Sequence, residues 1–258
     1  MTILETERLT RAYGGVIAVN NVDFDVEGGL ITGLIGPNGA GKTTLFNNMT
    51  GLDVPSSGTV RFNGKDITGT AAYKICRLGI ARTFQNIRLF RDLTVAENVM
   101  IGRHFKTGAH DSKGRFLNAL KSYFYLKEEE NAIYEKALEW LDFFDMYQSR
   151  SELAKNLPYG KQRELEIARA LATDPTLLFL DEPAAGMNPH ETEHLMGIIR
   201  KIRDLGITVV LIEHDMKLVM NICDSITVLN YGQKLAQGTP REIKNNPLVI
   251  EAYLGKDE

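Results

Sequence analysis

The chain has 258 residues, 43% of them hydrophobic and 24% charged, the balance of a globular protein able to bury one large domain or a core with an inserted subdomain. Its formal net charge of −3 lacks the basic excess of a nucleic-acid binder. No stretch reaches the length of a membrane span, and the first residues hold no apolar signal core, so the chain reads as soluble and cytoplasmic.

Residues 1 to 31 predict β-structure. Residues 3–5 and 22–26 alternate apolar and polar side chains as half-buried strands do, with a turn at residues 11–15 that carries Tyr13. The apolar run 30–35 predicts a buried strand. It leads into Gly36-Pro37-Asn38-Gly39-Ala40-Gly41-Lys42-Thr43-Thr44, which fits G-x-x-x-x-G-K-[ST], and residues 45–49 begin a helix. Strand, glycine loop and helix are the context this motif requires. Glycines let several N–H groups close around a phosphate chain, and the following helix turns its positive end to the same anion. Lys42 reaches the β- and γ-phosphates, and the Thr43 hydroxyl takes one position on Mg²⁺. The expected ligand is a nucleoside triphosphate with Mg²⁺.

A hairpin is expected over residues 59–67, because Asn63-Gly64 between alternating residues favours a type I′ turn. Residues 79–84 predict another strand, ended by Gln85. A helical region begins at Leu93 and runs to about residue 147, interrupted by a loop-like stretch at 102–115 rich in Gly, His, Lys and Ser. Phe116, Leu117, Leu120, Tyr123 and Phe124 share one helical face, and Ile133, Ala137, Trp140, Leu141 and Phe144 mark a second helix. The chain then alternates again. The turn Pro158-Tyr159-Gly160 precedes a helix at 165–173, and buried strands at 177–180 and 207–212 alternate with helices at 190–204 and 216–222. Two last strands, 226–229 and 234–236, flank Tyr231-Gly232. Buried strands separated by helices imply an α/β fold with a mainly parallel sheet. The two cysteines, Cys76 and Cys223, have neither metal nor redox spacing and read as reduced thiols.

Asp181 and Glu182 end the run 177–180, at the strand edge that faces the nucleotide in such a fold. Asp181 is placed to hold Mg²⁺, directly or through water, and Glu182 to polarise an attacking water. The alternative is a charged strand end entering a loop. His214 follows the strand 207–212 and reaches the same edge, where it could donate to the γ-phosphate or hold the water. Gln85 could ligate Mg²⁺ or sense the water, and Tyr13 could stack on adenine. Taken singly, a glutamine is uninformative and a turn tyrosine more often packs than stacks.

The order of phosphate loop, Gln85, the 157–171 stretch, Asp181-Glu182-Pro183 and His214 resembles the ATP-binding subunits of ABC transporters over essentially the whole chain. That resemblance implies a P-loop NTPase with an antiparallel β subdomain and an inserted α-helical subdomain. It divides the chain into a β subdomain and phosphate-loop part (1–92), the helical subdomain (93–155), and the rest of the core with a helical tail (156–258). It makes Tyr13 the adenine-stacking aromatic, Gln85 the Q-loop residue, Asp181 and Glu182 the Walker B aspartate and catalytic base, and His214 the switch histidine.

Two motifs depart from the family. Its signature Leu-Ser-Gly-Gly-Gln is here Leu157-Pro158-Tyr159-Gly160-Lys161, and the D-loop carries Asn188 in place of Asp. The lost serine hydroxyl leaves backbone N–H groups near Gly160 and the Lys161 charge as substitutes at phosphate. These departures, with residues 182–189 and 249–255, resemble the LivG-like subunits of branched-chain amino acid importers. The implied partners are a second ABC ATPase, as a heterodimer or a homodimer, membrane permeases and, indirectly, a substrate-binding protein, with no nucleic acid. The implied place is the inner face of the cell membrane, with a permease contact over residues 86–124 that includes Phe90, Arg103, Phe105 and Arg115. A soluble ABC ATPase of DNA repair or translation is the alternative, although no second cassette and no coiled-coil or zinc insertion is seen.

Overall fold

The computed structural model describes residues 1–104 and 119–254. Its strands are β1 (Thr2–Tyr13), β2 (Val16–Glu27), β3 (Ile31–Ile35), β4 (Ser57–Phe62), β5 (Lys65–Asp66), β6 (Ile80–Arg82), β7 (Leu177–Asp181), β8 (Thr208–Ile212), β9 (Ser225–Asn230) and β10 (Gln233–Gly238). The helices are α1 (Lys42–Met49), α2 (Ala72–Arg77), α3 (Val95–Arg103), α4 (Ala119–Phe143), α5 (Tyr159–Leu171), α6 (Pro189–Asp204), α7 (Met216–Ile222), α8 (Pro240–Lys244) and α9 (Pro247–Leu254). They divide between two compact units, Met1–Gln85 with Pro175–Glu258, and Asn86–Asp174.

The first unit holds two sheets. One is antiparallel, in the order β2-β1-β4-β5. Val22, Phe24 and Val26 are buried while Asp23 and Asp25 between them are exposed, the alternation of a strand with one wet face. Arg11, Ala12 and Tyr13, expected in a turn, extend β1 and pair with β2, so the turn shrinks to Gly14 and Gly15. Asn63 and Gly64 both take left-handed φ, at 50° and 73°, as the Asn-Gly hairpin requires.

The other sheet runs β10-β9-β3-β8-β7-β6, parallel except for β10. Every residue of β3, β7 and β8 is buried, which is why these strands read as unbroken apolar runs. Leu4, Phe24 and Val60 of the antiparallel sheet, Leu45, Phe46 and Met49 of α1, and Phe179, Val210 and Ile212 of the parallel sheet form one apolar cluster. Phe46 meets Phe179 edge to face at 4.9 Å between centroids.

The second unit is helical. Thr94 and Glu97 cap α3 reciprocally: the Thr94 N–H donates to Glu97 Oε2 at 2.7 Å, and the Glu97 N–H to Thr94 Oγ1 at 3.2 Å. Where the sequence predicts two helices, α4 is one helix of 25 residues. No Gly or Pro lies between residues 119 and 143, so nothing obliges the backbone to break. Ile133, Ala137, Leu141 and Phe144 are buried as their spacing predicts. Residues 105–118, with most of the expected loop and the start of the first predicted helix, lie outside the described residues. Helix α5 starts at Tyr159, ahead of the predicted 165, so Tyr159 and Gly160 form its first turn directly after Pro158.

Candidate nucleotide site

The phosphate loop hangs between β3 and α1. Gly36 has φ +152°, and a Cβ there would lie 2.1 Å from the Leu229 carbonyl oxygen. Gly41 has φ +95°, with the Ala18 carbonyl oxygen 2.3 Å from its would-be Cβ. Both positions therefore demand glycine. The loop closes on itself through Ala40 N–H to Pro37 O at 3.2 Å, and Gly232 N–H donates to Ala40 O at 3.1 Å. The Lys42 ammonium donates to Gly36 O at 2.7 Å and Pro37 O at 3.0 Å, so it lies over the loop. Burial holds it below the usual lysine range, and the charges of Glu182 and Asp181 pull the other way.

Register brings the other groups to the same rim. Leu34 of β3 pairs with Ile212 of β8, and Ile212 pairs with Asp181 of β7, all in parallel. The carboxyl ends of these strands thus open to one side, where Gly36, Glu182 and His214 follow them. His214 Nε2 lies 2.7 Å from Glu182 Oε1, and Gln85 Nε2 donates to Glu182 Oε2 at 2.9 Å. Glu182 is therefore held by both Gln85 and His214. Its side chain is 15% exposed and that of His214 44%. Asp181 is buried and accepts from Arg82 Nη2 at 2.7 Å. Arg82 also donates to Asn47 Oδ1 at 2.7 Å and Thr50 Oγ1 at 2.9 Å, which ties α1 to the aspartate. Sequence reasoning missed Arg82; an arginine inside a short strand otherwise built of Ile80 and Ala81 was the available signal.

Tyr13 lies 45% exposed at the end of β1, with the Arg11 guanidinium 4.5 Å from its ring centroid and its hydroxyl donating to Asp53. Burial acts against the Asp53 charge, but the Tyr13 hydroxyl, the Val54 amide and Arg11 together hold its carboxyl below the usual range.

In the helical unit, Pro158 and Tyr159 are exposed and Gly160 is buried. Lys161, expected to offer its charge to phosphate, is engaged locally: its ammonium donates to Glu164 Oε2 at 2.7 Å and Phe144 O at 3.1 Å. Asn188 caps α6, its Oδ1 accepting from the His190 and Glu191 N–H groups at 3.0 Å. Of the surface expected to meet a permease, Phe90 is half exposed beneath the Arg169 guanidinium, and Arg103 pairs with Asp174 at 2.7 Å. Phe105 and Arg115 lie outside the described residues.

Among the described residues no three His, Cys, Asp or Glu side chains gather to hold a metal alone. The donor set suits Mg²⁺ nonetheless, since that ion binds through one or two carboxylates plus substrate phosphates. The Thr43 hydroxyl, the Asp181 carboxylate and the Gln85 amide are hard oxygen donors of that kind, beside a glycine cradle for the phosphates. Among the described residues no helix is long and apolar enough to cross a membrane.

A family model described as ABC transporter matches residues 19–185, and one described as branched-chain amino acid ATP-binding cassette transporter matches residues 233–258. The chain is 47% identical over 255 residues, 98% of each chain, to the high-affinity branched-chain amino acid transport ATP-binding protein BraF of Pseudomonas aeruginosa. It is 45% identical over 257 residues, again 98% of each, to the LivG protein of the same description from Escherichia coli K12. Among solved structures it resembles an ATP-binding cassette of an ABC transporter in its ADP conformation, with a TM-score of 0.85 and 34% identity over 99% of this chain and 100% of that one. A nucleotide-free cassette gives a TM-score of 0.84 at 35% identity, with the same coverage.

Proposed function

The chain belongs to the ABC transporter family of ATP-binding, ATP-hydrolysing subunits, and on that premise we propose that it energises branched-chain amino acid uptake through separate permease subunits. The observation that carries the reading is the bonded set Gln85–Glu182–His214 on the rim where the phosphate loop also opens. The full-length likeness to BraF and LivG supports the choice of importer.

Tyr13 stacks on adenine. The amides of residues 36–41 and the Lys42 ammonium bind the phosphates, and Thr43 and Thr44 close the loop over them. Thr43, Asp181 and Gln85 would hold Mg²⁺, which when bound would neutralise phosphate charge. Glu182 takes a proton from the attacking water, and His214, bonded to the same carboxylate, keeps that water in line. Each assignment extends the family pattern to a residue that occupies the matching place.

The site is completed by a second cassette. Pro158, Tyr159, Gly160 and Lys161 present the first amides of α5 to the partner's ATP, as helix N-termini do for phosphate, and Asn188 lies on the D-loop beside the junction. A related but different ATPase is the expected partner. Both sit on the cytoplasmic face of the membrane, bound to permeases that a substrate-binding protein supplies.

Proteoliposomes that hold the permeases, the second ATPase and this chain test the proposal. The expected result is ATP-dependent leucine uptake, and ATPase activity that rises when permeases and binding protein are added. Turnover indifferent to the permeases, with no uptake, would contradict it.

A further inference from the structure

We infer that Glu213 is a positioning residue for hydrolysis, its two carboxylate oxygens tying the loop that bears Glu182 to the loop that bears His214. The inference rests on reading Glu182 as the base and His214 as its water-holding neighbour.

Glu213 follows the last residue of β8 and is 4% exposed. Its Oε1 accepts from the Ala184 N–H at 2.8 Å, and its Oε2 from the His214 N–H at 3.2 Å. Ala184 stands two residues beyond Glu182, and the Glu182 N–H donates to Ile212 O at 3.0 Å. A closed circuit results. It runs from the Glu182 backbone to Ile212, through Glu213 to the amides of Ala184 and His214, and from the His214 ring back to the Glu182 carboxylate at 2.7 Å.

Two features explain why such a staple is needed. Glu182 has φ +46°, a left-handed conformation uncommon for any residue but glycine. Strain of that kind persists only where the surroundings over-determine it. The next residue, Pro183, has no N–H, so Ala184 offers the first amide after Glu182 that can anchor the loop. The staple also comes at a cost. Burial pushes the Glu213 carboxyl above the usual range, the Ala184, His214 and Asp215 amides oppose that, and the Glu182 charge adds to it. A buried carboxylate whose bonds go to these two loops holds hydrolytic geometry. None of its bonds reaches the phosphate loop, so ATP capture does not depend on it.

Glu213→Gln keeps the shape and one acceptor but turns an NH₂ group toward one of the amides. Glu213→Leu keeps the bulk and no acceptor. We expect kcat to fall roughly ten- to a hundredfold in Glu213→Gln and further in Glu213→Leu. The Kd for a fluorescent ATP analogue should stay within about twofold in both, because substrate binding and transition-state positioning separate in this way. Should the Leu variant fail to fold, the near-isosteric Gln variant carries the test. Wild-type kcat in Glu213→Gln, or ATP affinity that weakens in step with kcat, would overturn the inference. Glu182→Gln is the control. If it abolishes turnover while Glu213→Gln keeps the wild-type kcat, this inference alone fails; if it keeps turnover, the reading of the base itself fails.

Discussion

Lys42 shows how burial sets a working charge. Its ammonium is held below the ordinary lysine value of 10.5 by desolvation, with Glu182 and Asp181 opposing. In the ATP complex the phosphates favour the protonated form, so raising the pH competes with binding. ATP affinity should therefore decline with rising pH, starting below 10.5, and titration calorimetry across pH 7 to 10 would reveal the fall. Lys42→Ala should weaken ATP binding about ten- to a hundredfold and abolish that pH slope, since the loss of a charge-assisted bond is of that size. At this scale the sequence was legible wherever a strand end fixed the place. Asp181 ends a buried parallel strand, Glu182 and His214 follow such strands, and parallel register alone puts them on one rim. Arg82 and Glu213 were only partly legible: a charged residue within or just after a strand marks the place but does not say whether it faces water or a buried partner. The local partner of Lys161 was not legible for the same reason: Glu164, one helical turn on, pairs with it.

At the scale of elements, the Asn that departs from the family's Asp at position 188 has a local reason to be there. Asn and Asp are near-equal helix caps, and Asn188 shares a capping box with Glu191, whose carboxylate accepts the Asn188 N–H at 2.9 Å. Asn188→Asp should leave stability nearly unchanged, whereas Asn188→Ala should cost about 1 kcal/mol and lower Tm by roughly 2–4 °C. Differential scanning calorimetry separates the two. Helix α9 reaches the phosphate loop: Leu248, Glu251 and Ala252 share a cleft with Pro37, Asn38 and Ala40, and the Gly36 amide acts on the Tyr253 hydroxyl against the effect of its burial. Burial pushes that hydroxyl up to about 12. Element identity was legible from periodicity, and errors gathered at boundaries. β1 ran on through Tyr13 because the pairing with β2 continues to the glycines, and α4 ran on because no residue stops it.

For the whole molecule, the asymmetry between motifs has a consequence. The phosphate loop, acidic pair and histidine of this chain match the family pattern, while the signature it would lend its partner lacks the serine hydroxyl. In a heterodimer the two ATP sites should differ, so disabling this chain's own site and disabling the partner's should reduce turnover unequally. Equal losses, measured as phosphate release from the assembled transporter, would speak against unequal sites. On the proposed function, the cradle at Gly36 to Thr44 binds ATP, and Glu182, held by Gln85 and His214, takes the proton from the attacking water. The direct measurement is the identity of the nucleotide that Glu182→Gln protein retains after incubation with Mg²⁺ and ATP and rapid removal of free nucleotide. Bound ATP that stays uncleaved is the predicted result; bound ADP, with phosphate released at the wild-type rate, would contradict it.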